Sequence, residues 1–158
     1  MIDYLKISPI FYPDILNFLK QNWDGKYMAI RGQLFDLSTL PGYITLHNGS
    51  IVGMVSYRQT TNALEIMSLD SILPNQGIGK KLCQFIEDEA KKLNLKAIHV
   101  ITTNDNAQAL AFYQKIGFKH CKTYLDAVAL ARVLKPSIPL EVNGIPIKDE
   151  IELRKELT

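Results

Sequence analysis

The sequence predicts an α/β fold: a mixed, mostly antiparallel central sheet of six to seven strands flanked by helices. Three observations carry that expectation. Alternating apolar and polar segments separated by Asn48-Gly49 and Thr61-Asn62 read as an antiparallel meander. A long stripe of helical period follows, from Ile78 to Leu93. A short apolar strand, Ala97 to Ile101, comes after it, and a strand-helix-strand step of that length favours parallel pairing through a right-handed crossover. At 158 residues the chain is expected to form a single domain, 1–158, with a variable insertion at about 125–148 before the last strand.

Ile2 to Ile7 alternates as a half-buried strand does, and Ser8-Pro9 is a helix-start pair. Pro13 sits in the first turn of that helix or marks its true start; Ile15, Leu16, Phe18, Leu19 and Trp23 supply the apolar stripe. From Asp24 to Pro41, Gly25, Gly32 and Pro41 interrupt the apolar residues without a period, so irregular structure with one short helix is expected. Tyr43–His47, the Asn48-Gly49 turn and Ile51–Tyr57 then read as a hairpin, with Ala63–Leu73 as its third strand. A second helix starts near Asn104 to Asn106 and runs to Ile116, where Gly117 suits the left-handed position past a helix end. Phe118–Tyr124 reads as a strand and Asp126–Leu134 as a helix. Pro136, Pro139 and Pro146 mark a loop, and a closing strand starts at Glu150.

Apolar residues make up 47% and charged residues 22%, which excludes a disordered or low-complexity chain. A net charge of +2 without a basic cluster leaves no footprint for nucleic acid or a membrane surface. No apolar run approaches the ~20 residues that span a bilayer. Met1-Ile2-Asp3-Tyr4 lacks a secretory pattern, and Cys83 and Cys121 are too few for a disulfide framework, so a cytoplasmic location is expected. No metal is expected, because His47, His99 and His120 share no ligand spacing with either cysteine.

The segment richest in chemistry is Gln76-Gly77-Ile78-Gly79-Lys80, between strand and helix. Amides at a helix start lack intrahelical partners and sit at the positive end of the dipole, and glycines let a phosphate approach them. A tight turn explains the two glycines alone equally well. Two phosphate loops do not fit. A P-loop needs glycine where Pro74 stands and Ser or Thr where Lys81 stands; a dinucleotide fingerprint needs a small residue where Leu82 stands.

Further along, Asn106-Ala107-Gln108-Ala109-Leu110-Ala111-Phe112-Tyr113-Gln114-Lys115-Ile116-Gly117-Phe118 has the form NxxAxxxYxxxGF. With the glycine turn, the long helix and the next strand in that order, the chain resembles the GNAT superfamily of acetyl-CoA-dependent N-acetyltransferases. The clear motifs cover Glu65 to Phe118. The resemblance implies that the amides of Gln76, Gly77, Ile78, Gly79 and Lys80 cradle the pyrophosphate of acetyl-CoA. It implies that the strand edge at Leu69 and Ser71 pairs with the pantetheine arm, that Asn106 hydrogen-bonds it, and that Tyr113 sits beside the sulfur. The chain departs from the family at Pro74, where Arg or Gln is usual.

Acetyl transfer to a primary amine in a ternary complex needs a neutral nitrogen, although an alkylamine titrates near ~10.4. A carboxylate, directly or through water, takes that proton. Glu65 and Asp70 are the candidates, and Glu65 is preferred because family members often carry an acid there. Alternation puts the two on opposite faces unless a bulge intervenes. Tyr113 is the candidate acid for the departing thiolate. Cys121 has no histidine partner in sequence, since His120 is expected on the opposite face of its strand. Arg31, Asp36, Tyr124, Asp126 and Arg132 are candidates near the acceptor, with a small amine as the first expectation. A non-catalytic acyl-CoA-binding sensor on the same fold is the alternative, and a homodimer through the closing strand is compatible with the sequence.

Overall fold

The computed structural model describes residues 1–158. In chain order the elements are β1 (Ile2–Lys6), a 3₁₀ turn (Pro9–Phe11), α1 (Tyr12–Asn22), β2 (Tyr27–Ile30), β3 (Gln33–Asp36) and a second 3₁₀ turn (Leu37–Thr39). They continue with β4 (Gly42–His47), β5 (Ser50–Gln59), β6 (Ala63–Ser71), α2 (Ile78–Lys92), β7 (Ala97–Thr103) and α3 (Ala107–Lys115). The last are β8 (Lys119–Tyr124), α4 (Ala127–Leu134), β9 (Glu141–Val142), β10 (Ile145–Pro146) and β11 (Glu150–Glu156). Seven strands form the main sheet in the order β1-β4-β5-β6-β7-β11-β8, mostly antiparallel. The chain divides into two compact units, one of Met1–Lys26, Asp36–Ile98 and Leu157–Thr158, the other of Tyr27–Phe35 and His99–Glu156.

In the first unit the meander forms as the turn signals predict. Asn48 and Gly49 both take positive φ, 51° and 83°, which the tight β4–β5 turn requires. Lys96 donates its N–H to the Asn62 carbonyl at 3.0 Å, so β6 and β7 start side by side and run the same way. The α2 stripe buries Ile78, Leu82, Cys83, Ile86 and Ala90. Each large apolar side chain so buried contributes roughly 1.5–3 kcal/mol. Phe85 of α2 stacks on Tyr43 with ring centroids 5.0 Å apart, fixing the helix against β4.

In the second unit β11 pairs antiparallel with β8. The Asn104 N–H bonds the Asp149 carbonyl at 3.0 Å, and β11 is antiparallel to β7 as well. Consequently the C-terminal ends of β7 and β8 and the start of β11 lie at one end.

Two stretches differ from expectation. Asp24–Pro41 is not irregular: β2 and β3 form a hairpin whose turn, Arg31-Gly32, takes φ of 50° and 73°. Strands of four residues are too short to show a period, and Arg-Gly is a weaker turn signal than Asn-Gly. The short helix expected there exists as the 3₁₀ turn at Leu37, whose start Asp36 caps by accepting the Ser38 N–H at 3.0 Å. The stretch read as a proline loop holds the small β9–β10 hairpin.

Candidate active site

The glycine turn ends in a left-handed residue, Gly77 with φ 68°, which stands at the N-cap of α2 without any side-chain cap. The first intrahelical bond runs from the Lys81 N–H to the Gly77 carbonyl at 3.0 Å. The amides of Ile78, Gly79 and Lys80 are therefore left without intrahelical acceptors, at the positive end of a 15-residue helix. A Cβ added to Gly77 would meet nothing within 4 Å, so the space beside the turn is open. Gln76 and Lys80 are exposed beside it. A diphosphate fits this donor set.

The strand leading into the turn carries both candidate carboxylates. Ser68 lies opposite Ser56 and Ile66 opposite Tyr57, so Met67 is an extra residue in β6, a β-bulge. This bulge changes the parity of the strand. Glu65, paired with Arg58, and Asp70, paired with Met54, lie on the same face and not on opposite ones. That face is the one α2 does not cover, because Gly53, on the other face of β5, packs against Ile78. Buried Ser56 and Ser68 share a hydrogen bond across the face.

The two acids differ in their surroundings. Glu65 is fully buried, and its Oε1 accepts from Arg58 Nε at 2.6 Å, while Oε2 has no hydrogen-bond partner. Asp70 is half-buried and accepts the Ser71 N–H at 2.9 Å. Burial lifts the Asp70 carboxyl above its ordinary range, against the pull of that amide. Ile72 donates its N–H to Val52, so by alternation the main-chain groups of Leu69 and Ser71 point away from β5. Of these, the Ser71 amide is already engaged by Asp70.

In the second unit, Asn106 caps α3. Its Oδ1 accepts the Ala109 N–H at 3.2 Å and its Nδ2 lies 3.3 Å from Thr102 Oγ1. Tyr113 is buried at 6% exposure, edge-on to both Phe112 and Phe118 with centroids 5.2 Å apart in each pair. Gly117, at φ 106°, lets the chain leave the helix so that Phe118 returns an N–H to the Tyr113 carbonyl at 2.9 Å. This hydrogen bond and the ring pairing hold Tyr113 firmly.

Of the polar residues considered for the acceptor, three have structural partners. Arg132 donates to the carbonyls of Ile138, Pro139 and Ile147 and ties down the segment after α4. Asp36 caps a 3₁₀ turn and lies 3.5 Å from Lys26. Asp126, at φ 56°, donates its N–H to Asp149. Arg31 and Tyr124 instead come together: the guanidinium carbon lies 4.6 Å from the Tyr124 ring centroid. The Tyr124 hydroxyl donates to Glu152 at 2.8 Å. Burial first, then that carboxylate, push its pKa up to about 12, so it stays protonated. Sequence reasoning missed Glu150 and Glu152, whose signal appears only once β11 is set in register with β8. It also missed Arg58, which faces Glu65 across the hairpin.

A second bulge corrects the expectation for His120. Lys122 pairs with Glu152 and His120 with Leu153, leaving Cys121 as the extra residue. His120 and Cys121 then line one cavity of about 350 Å³ with Gly117, Lys119, Arg154 and Glu156. His120 is occupied with Thr123 Oγ1 at 2.7 Å. Burial, and then the charge and hydrogen bond of Glu152, push the Cys121 thiol up, away from the thiolate a nucleophile needs.

A mixed sheet with an uncapped glycine turn ahead of a long helix, followed by a motif helix, defines an acyltransferase of the GNAT type. The chain belongs to the acetyltransferase (GNAT) family, whose model matches residues 9–118. It is similar to the protein YxbD of Bacillus subtilis (strain 168), 43% identical over 142 residues covering 89% of each chain. Among solved structures it resembles an IAA acetyltransferase from Bacillus cereus ATCC 14579, with TM-score 0.73 and 25% identity over 99% of this chain and 100% of that one. The fold also matches a GNAT family acetyltransferase from Elizabethkingia anophelis with acetyl-CoA bound: TM-score 0.68, 23% identity, 99% and 98% covered.

Proposed function

We propose that this protein is a cytoplasmic enzyme that transfers the acetyl group of acetyl-CoA to a primary amine of a small molecule, by direct attack in a ternary complex. The observation that carries the reading is the open row of unpaired amides at the α2 N-terminus, in a chain of this family. Acetyl-CoA supplies an activated acyl group and a thiolate leaving group. The amides of Gln76, Gly77, Ile78, Gly79 and Lys80 would hold its pyrophosphate. They do so without the Arg or Gln usual at position 74, so the main chain carries that task. Leu69 and Ser71 would pair with the pantetheine amides, the Ser71 N–H exchanging Asp70 for the arm. Asn106 has its Oδ1 committed to capping and one Nδ2–H given to Thr102, which leaves the second Nδ2–H to reach the arm.

Asp70 is assigned as the base that takes the amine proton, directly or through water. The parity change at Met67 brings Glu65 to the same face, but Arg58 holds one of its oxygens. Tyr113 would give its phenolic proton to the thiolate, a transfer modestly uphill because the thiol titrates near ~8.5 and a phenol near ~10. The phenolate would regain a proton from water as Asp70 releases the one taken from the amine. The test is release of free thiol from acetyl-CoA across a panel of small primary amines. Saturable amine-dependent release is the expected result. Calorimetric CoA binding without any release would replace the enzyme by a sensor, and no binding at all would remove the cofactor site.

A further inference from the structure

Within the second unit, one guanidinium is held in place against an aromatic ring without a hydrogen-bond or ion-pair acceptor of its own. Arg31 sits in the β2–β3 turn, and its main-chain N–H donates to both oxygens of Glu150, at 3.1 and 3.4 Å. Glu150 is itself only 2% exposed, so the turn is anchored on a buried carboxylate at the start of β11. The guanidinium lies against the Tyr124 ring, whose hydroxyl is fixed by Glu152. Main chain and side chain are thus both located, while the guanidinium fork has no hydrogen-bond or ion-pair acceptor in the protein. A pre-positioned guanidinium suits a planar, two-oxygen anion, which it engages with two parallel hydrogen bonds.

Its place in the unit relates it to the motif residues. The Asn104 side chain accepts the N–H groups of Lys148 and Asp149, at 2.9 and 3.0 Å, and Asp149 Oδ1 accepts the N–H of Asp126. The loop that leads into Asn106 is thereby stitched to the residues just before Glu150. Arg31 and Asn106 consequently stand at the same end of this unit, where β7 and β8 finish.

The charge balance selects the anion. Arg31 and Lys122, whose Nζ lies 4.8 Å from the same ring centroid, are matched by Glu150 and Glu152. The four charges cancel, so a carboxylate leaves the cluster with one net negative charge and a phosphate dianion leaves it with two, which favours the carboxylate. We infer that Arg31 recognises a carboxylate on the acceptor, so that the amine substrate is an amino acid or a close relative and not a simple alkylamine. The inference rests on the acetyl-transfer reading and deepens it.

The test uses acceptor pairs that differ only by a carboxylate: phenylalanine with phenethylamine, and lysine with cadaverine. Thiol release and calorimetry on the CoA-saturated protein are measured for the parent, Arg31→Gln and Arg31→Lys. The expected result is at least a tenfold preference of the parent for the amino acid in each pair. In Arg31→Gln the ratio of kcat/KM values falls at least tenfold, and Arg31→Lys, which keeps charge but not the fork, falls between. An unchanged ratio in both variants, or a parent that prefers the alkylamines, overturns the inference and leaves acetyl transfer standing. Arg31-dependent binding of the amino acids with no thiol released supports the carboxylate site and overturns the transfer reading. Phosphoethanolamine binding as tightly as the amino acids overturns the carboxylate assignment. Turn position 31 is exposed, and matched melting curves show that the variants fold.

Discussion

If Ser71 pairs with the pantetheine arm and Asp70 is the base, as proposed, one hydrogen bond couples cofactor binding to basicity. Burial raises the Asp70 carboxyl, and the Ser71 amide lowers it. If the pantetheine arm takes that amide, Asp70 loses the interaction that held its pKa down. Its pKa in the ternary complex then exceeds that of the free enzyme. A base must be ionised to act, so activity falls as pH drops through the folded pKa. Acceptor ionisation alone gives unit slope in log rate against pH, and Asp70 adds a second unit below its own pKa. The steep limb in kcat should therefore lie at higher pH than that in kcat/KM for acetyl-CoA, since the first reports the complex and the second the free enzyme. Asp70→Asn should abolish the extra slope and lower kcat by about 10²–10⁴-fold. Should Glu65→Gln do this while Asp70→Asn does not, the base is Glu65.

At the level of elements, the start of α2 depends on the strand beneath it. A Cβ on Gly53 would lie 2.8 Å from Ile78 Cγ2, 3.2 Å from Thr45 Oγ1 and 3.3 Å from the Asp70 carbonyl. Gly53→Ala must therefore push Ile78, the first residue of the helix and one of the donors in the proposed cradle. We expect a loss of about 1–3 kcal/mol in stability by urea denaturation, the usual range for overpacking. CoA affinity should weaken in parallel by calorimetry. Full parental affinity in the variant would show that the cradle does not depend on this contact. The glycine turn, α2 and the Asn106–Phe118 segment were legible because long periods and fixed spacings are local signals. The bulge at Met67 was not: an extra residue in an unbroken apolar strand becomes visible only when β5 supplies the register. The β2–β3 hairpin is hidden because its strands are short, and in the sequence Arg31 is therefore one polar residue among several.

Across the whole molecule, Glu150 links pH to stability in the direction opposite to a salt-bridged acid. It is expected neither as a core residue nor as a loop acid from its sequence position, since only pairing with Tyr124 in β8 makes it interior. Its burial raises its pKa, and the Arg31 amide and charge offset that shift only in part. As pH climbs through the ordinary carboxylate range, the unfolded chain releases this proton while the folded protein keeps it. The folded state binds more protons, so the unfolding free energy declines with rising pH until the folded pKa is passed, and is flat above it. Glu150→Gln keeps an oxygen to accept the Arg31 N–H and removes the buried charge. Relative to the parent, the variant should gain stability between mildly acidic and neutral pH, and the difference should level off once the parent's Glu150 has ionised. Urea unfolding of both proteins at several pH values isolates this group, because every other titrating residue cancels in the comparison. A constant difference across the range would mean that Glu150 does not change its pKa on folding. A variant that loses stability as pH rises would mean that the ionised carboxylate is the favoured partner of the Arg31 turn.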